Sequence, residues 1–194
     1  IRITPPADPG PLAAVASRLG SYDWVVFASA NGVRGVLESL RSAGLDGRGF
    51  GTARLAAIGP ATRRSLEEAG YCCDLVPGDY SSEGLVESFA GLPAGGRFLL
   101  VRAERGRDLL RRSLEAAGHH VEEVAAYASV AVNALDRETT QLLSAAPAPW
   151  VTVTSGAIAE AVIRLCSPWI RGWRIASISP VTSAAVRRFG LEPT

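Results

Sequence analysis

The stretch DWVVFASANGVRGVLESL, residues 23–40, changes character at its centre. A buried-looking apolar run ends at Phe27, small and polar residues follow from Ala28 to Gly32, and a helical pattern begins at once. A short apolar run of this kind, followed directly by 3.6-residue periodicity, reads as a buried strand that turns straight into a helix. The stretch PWVTVTSGAIAEAVIRLC, residues 149–166, reads the same way.

Apolar runs occupy 24–28, 55–58, 98–101, 150–154 and 174–178. Helical patterns follow them at 31–43, 60–70, 106–118, 156–166 and 180–189. Strands alternating with helices of this length imply βαβ units and a parallel sheet. Short connecting strands are expected at 73–76 and 121–125, with Gly70 and Gly118 as helix C-caps.

A second similarity extends the first: RLAAIGPATRRSLEEAG (54–70) resembles RIASISPVTSAAVRRFG (174–190). Two kinds of unit therefore occur twice in the same order. Between them GRFLLVRAERGRDLLRRSLEAAGHHVEEVAAY (96–127) occurs once. Its repeat partner is expected before residue 1, and the chain contains no Met. The expected organisation is a complete α/β domain at 1–127 and a second at 128–194 whose N-terminal strand-helix-strand precedes residue 1. A helix and a Pro-rich loop are expected between Asn133 and Pro149.

Composition narrows the function classes. The chain has 194 residues, 47% of them hydrophobic, and a formal net charge of +1, unlike a general nucleic-acid binder. No apolar run approaches the roughly 18 residues of a membrane span, so no membrane partner is expected. All 20 Lys+Arg residues are Arg, which excludes lysine Schiff-base chemistry from these residues. Cys72, Cys73 and Cys166 do not form a disulfide framework, and no metal-ligand spacing appears, so reduced thiols and a cytoplasmic location are expected. Nucleotide-binding glycine motifs and the nucleophile elbow are also missing.

The junctions are the candidate site. In parallel α/β sheets, ligands bind beyond the carboxyl ends of the strands. A helix starting there presents free N–H groups and the positive end of its dipole, and Ser, Thr, Asn or Gly lets an anion approach them. The candidates are Ser29 and Asn31, Pro60 and Thr62, Thr154 and Ser155, Pro180 and Thr182, with Ser82 in the short helix opened by SSEGL (81–85). Arg102, at a strand end, and Arg105, in the loop that follows, are the best-placed guanidinium groups, whereas Arg111 and Arg112 read as a solvated helix face; Arg102 is the one taken as substrate-binding. Each junction taken alone is also ordinary capping chemistry. Facing each other across two domains, they would suit a ligand with several carboxylates or phosphates.

YDWVVFASANGV, LAAIGPATRRSLEEAG, YSSEGLVESF, the 99–127 segment and IASISPVTSAAVRRFG together resemble the uroporphyrinogen-III synthases. The resemblance implies two similar flavodoxin-like parallel-sheet domains joined by a two-stranded linker, with the active site in the cleft between them. It implies that hydroxymethylbilane, a linear polycarboxylate tetrapyrrole, closes with loss of water and inversion of its last ring. No cofactor and no metal are implied. A monomer is expected, with room for a fused tetrapyrrole-pathway domain in a longer protein. By motif match Tyr127 is the proton donor, and Ser29, Thr62, Ser155 and Thr182 are substrate-binding positions. Two departures stand out: Ala28 replaces a usual Thr, and Ser179 replaces the Gly of the second G-P-x-T, which puts the turn at 179 in question. The competing expectation is a non-catalytic two-domain sensor of a polyanionic small molecule.

Overall fold

The computed structural model describes residues 1–145 and 149–194. In chain order the elements are β1 (Arg2–Thr4), α1 (Gly10–Ala16), β2 (Trp24–Phe27), α2 (Ala30–Ser42), β3 (Arg54–Ala57), α3 (Pro60–Glu68), α4 (Ser82–Phe89), β4 (Arg97–Ala103), α5 (Leu109–Ala116), β5 (His120–Val130), α6 (Arg137–Ala145), β6 (Trp150–Val153), α7 (Gly156–Leu165), β7 (Arg174–Ser177) and α8 (Pro180–Arg187). The chain divides into two compact units, Ile3–Ser129 and Val130–Thr194 with Ile1–Arg2.

The larger unit is a five-stranded sheet in the order β1-β5-β4-β2-β3. The pairs β2·β3, β2·β4 and β4·β5 are all parallel. Because strand side chains alternate, each strand feeds two cores. Val25, Phe27, Leu99 and Val101 meet Val33, Val36 and Leu40 of α2 and Leu66 of α3 on one face. Trp24, Val26, Phe98 and Leu100 meet Leu85 and Phe89 of α4 and Leu114 of α5 on the other. Helices on both faces explain why all of β2 is buried and why it reads as an unbroken apolar run.

The smaller unit pairs β6 and β7 in parallel, with Ile163 of α7 and Val186 of α8 packed in one cluster with Val153 and Ile175. Its element order repeats that of residues 24–75 in detail. Trp24 pairs with Arg54 and Trp150 with Arg174. Each Arg lies over its Trp ring, at 5.6 Å and 5.5 Å. A one-turn 3₁₀ helix precedes the second strand in both copies, at Gly47–Phe50 and Ile170–Gly172. After the second helix each copy returns to that strand through an isolated bridge, Ala56 to Leu75 and Ile175 to Pro193.

Several expected boundaries change. The strand expected at 73–76 is only the Leu75 bridge. The Asp74 carboxylate takes the Leu55 N–H at 2.7 Å, where a strand carbonyl would sit, and Pro77 has no N–H to continue the ladder. The strand expected at 121–125 is instead the 11-residue β5. The helix expected from 106 starts at Leu109, because Arg102 holds the carbonyls of Gly106 and Arg107 in the preceding loop. The N-terminal strand β1 and helix α1 had no sequence signal strong enough to place them. Gly70 and Gly118 do follow helix ends, with φ of 87° and 84°. The Pro-rich loop expected before Trp150 falls partly on 146–148, outside the described residues.

Candidate active site

Parallel pairing brings the carboxyl ends of β2, β3, β4 and β5 to one edge of the larger sheet. At that edge Ser29 leaves β2 in extended conformation and caps α2, its Oγ accepting from the Gly32 N–H at 3.1 Å. The same Oγ donates to the Tyr127 hydroxyl at 3.0 Å. Ser29 uses its proton on the phenol oxygen, so the Tyr127 proton is left for another acceptor.

Tyr127 reaches this position through a β-bulge. Arg102 pairs with Ala125 but Ala103 pairs with Tyr127, so β5 carries one extra residue, Ala126. A bulge turns the side chain that follows it, which is how bulges recur beside functional sites. The strand is held there from both sides. Glu104 N–H donates to the Tyr127 carbonyl at 2.9 Å, and α2 comes so close that a Cβ on Gly35 would stand 2.5 Å from the Ala126 oxygen. Nothing in the residue pattern announced this bulge.

The second junction starts α3 at Pro60, with Gly59 extended at its N-cap. A Cβ on Gly59 would meet Tyr80 Cβ at 3.3 Å, so the start of α4 lies against the start of α3. The capping hydroxyl of α4 belongs to Ser81, which accepts from Gly84 N–H at 3.0 Å; Ser82, the expected residue, is the first residue of the helix. Arg107 pairs with Glu83 at 2.6 Å, tying the β4–α5 loop to the same place and holding the Glu83 carboxyl below the usual carboxylate range.

Two expected contacts sit differently from the sequence reading. Arg102 does not present a free fork: it pairs with Glu123 at 2.7 Å and donates to the carbonyls of Ala103, Gly106 and Arg107. It shapes the loop that closes the edge. Thr62 is buried, 4% exposed, in the first turn of α3 rather than on its surface. Asn31 is half-buried and accepts from the Arg34 guanidinium.

The smaller unit has the matching edge. Ser155 caps α7 by accepting from Ile158 N–H at 3.2 Å. Ser179 caps α8 by accepting from Thr182 N–H at 3.2 Å, and its Oγ lies 3.0 Å from the Oγ1 of Thr182, which is buried. The Gly-to-Ser departure therefore does not disturb this turn: Ser179 has φ −155°, extended backbone open to any residue, and its hydroxyl supplies the cap that Gly59 lacks. Among the described residues no group of three His, Cys, Asp or Glu side chains is placed to hold a metal. No helix among them is long and apolar enough to cross a membrane.

Parallel strands ending in capped helix N-termini, with a phenol at one edge, define an α/β protein that gathers first-turn N–H groups at the carboxyl ends of its strands. Compared with known proteins, the chain belongs to the uroporphyrinogen-III synthase family: residues 1–194 match the family described as Uroporphyrinogen-III synthase HemD. The uroporphyrinogen-III synthase of Synechococcus elongatus is 30% identical over 192 residues, covering 94% of this chain and 72% of its own length. The fold is similar to that of the synthase from Thermus thermophilus, with TM-score 0.60 and 22% identity over 100% of this chain and 77% of that one. It is also similar to that of the enzyme from Helicobacter pylori 26695, with TM-score 0.65 and 14% identity over 99% and 81%.

Proposed function

We propose that this protein is a uroporphyrinogen-III synthase of tetrapyrrole biosynthesis, a hydro-lyase that converts hydroxymethylbilane to uroporphyrinogen III. The observation that carries the reading is the Ser29–Tyr127 pair at a sheet edge lined by helix N-termini, in a chain of this family. In this reading the two units are flavodoxin-like domains joined by a two-stranded linker. Their junction edges line one cleft, and a polycarboxylate substrate lies between them.

The reaction divides into holding and proton transfer. Ring closure without an enzyme gives the wrong isomer, so the main task is to fix one folding of a flexible chain. Helix N-termini and the hydroxyls of Ser82 and Ser155, whose protons are free among the described residues, receive carboxylates through many modest contacts, while Ser29 and Ser81 hold the first turns of their helices. Thr62 and Thr182 act from the buried side, fixing the first turns whose N–H groups face the ligand. Tyr127 donates its proton to the leaving hydroxyl, and the hydrogen bond from Ser29 onto the phenol oxygen favours that transfer. Arg102 positions the β4–α5 loop. The scheme needs no cofactor or metal and works in a monomer in the cytoplasm.

The test is chromatography of the oxidised products after incubation with hydroxymethylbilane. Type III product formed faster than the spontaneous type I isomer supports the reading. Type I alone, at the uncatalysed rate, rejects it in favour of a ligand-binding protein without activity.

A further inference from the structure

Arg34, a residue the junction motifs do not include, lies one turn into α2 from the Ser29 cap. It is exposed, and among the described residues no carboxylate pairs with it. Its guanidinium is nonetheless held, by donation to the Asn31 side-chain oxygen. Arg34 and Asn31 line a cavity of about 470 Å³ that also reaches Tyr127. Pro5, Pro6, Pro9 and Leu12, before and within α1, give the same cavity an apolar lining.

We infer that this cavity is a subsite for one pyrrole ring of the substrate and that Arg34 receives a carboxylate arm of that ring. The inference rests on the synthase reading above and deepens it. The chemistry of the walls matches the two parts of such a unit. A flat apolar ring suits proline and leucine surfaces. A carboxylate suits a planar guanidinium, which meets it through two parallel hydrogen bonds. Asn31 restrains the long Arg34 side chain before the ligand arrives, which lowers the ordering cost of binding. Glu38 lines the same cavity four residues along α2 and would repel a second carboxylate, so the acid arm belongs at the Arg34 end. Tyr127, which lines the same cavity, would then face the seated ring.

The experiment compares wild type, Arg34→Gln, Arg34→Lys and Arg41→Gln, each confirmed folded by circular dichroism. Arg41 is an exposed arginine in the last turn of the same helix, outside the cavity. Two readouts are taken: steady-state formation of the type III isomer, and binding of uroporphyrin III, a stable polycarboxylate probe, by tryptophan quenching. Arg34→Gln is expected to lower kcat/KM about 10- to 100-fold, chiefly through KM, and to weaken the probe by a similar factor. Arg34→Lys should recover part of the loss, and Arg41→Gln should match wild type. Unchanged KM and probe affinity in Arg34→Gln, with an active wild type, would overturn the subsite. Equal losses in Arg34→Gln and Arg41→Gln would overturn it as well, since both would then reflect net charge alone. An inactive wild type would reject the synthase reading instead, and the probe arm would still judge the subsite.

Discussion

Replacing Ser29 by Ala removes one oxygen with two jobs, and the two can be measured apart. The bond from Gly32 N–H, 3.1 Å long, is a helix cap whose loss costs about 0.5–2 kcal/mol of stability. The bond to Tyr127, at 3.0 Å, joins α2 to β5 and adds about 0.5–1.5 kcal/mol. Urea unfolding followed by circular dichroism should therefore show Ser29→Ala destabilised by about 1–3.5 kcal/mol, somewhat more than Ser155→Ala, which loses only its cap. In activity, the loss should be about 10- to 100-fold, measured as type III isomer formed per minute. Tyr127→Phe keeps the ring and removes the proton, so it should cost more, up to about 10²–10⁴-fold. If Ser29 serves catalysis through Tyr127, Ser29→Ala should cost less once Tyr127 is already Phe, with a coupling of about 0.5–3 kcal/mol in the double-mutant cycle. Strict additivity would refute the functional pairing. Full activity in folded Tyr127→Phe would remove the tyrosine from the chemistry altogether.

Gly35→Ala places a Cβ 2.5 Å from the Ala126 carbonyl oxygen, against backbone that cannot swing away. It should lower the urea midpoint by the equivalent of about 1–3 kcal/mol or more and impair activity by shifting the bulge before Tyr127. Arg102→Gln leaves Glu123 without its 2.7 Å partner and frees the carbonyls of Gly106 and Arg107. Faster backbone hydrogen exchange over 103–108 is the expected readout. At alkaline pH, burial and then the hydrogen bond to Glu122 push the Tyr22 phenol from 10.0 up to about 12. The folded state thus favours the neutral phenol: this stabilisation is complete below about pH 10 and is lost as pH rises towards about 12. Tyr22→Phe should flatten the stability profile across that window, and an unchanged slope would contradict the assignment.

The parallel α/β fold was legible because both signals were local. Strands such as Trp24–Phe27 are buried on both faces and read as apolar runs, and Ser29, Ser155 and Pro60 mark helix starts through their own backbone chemistry. The repeat was legible because both copies keep the same spacing from Trp to Ser cap and from Arg to Pro. What escaped depends on distant partners. The bulge at Ala126 exists only relative to β4. Arg102 looked available as a strand-end cation, and only the fold brings Glu123 and the 106–107 carbonyls to it. Ser81 and Ser82 are adjacent serines before a helix, and which one caps was fixed by where the chain turns after Asp79. Ser179 fits where Gly59 stands in the first copy because both positions are extended, with φ −155° and −173°, a backbone open to any residue.

The central claim is that ligand binds at the carboxyl ends of the strands, around Ser29 and Tyr127. A crystal structure of the protein with uroporphyrin III bound tests it most directly. The expected result is a pyrrole ring in the cavity beside Arg34, with carboxylates at the first turns of α2 and α3 and at the start of α4. The contrary result is a porphyrin seated at the opposite edge of the sheet, in the cavity of about 670 Å³ lined by Asp23, Arg54 and His119, with Ser29 and Tyr127 untouched.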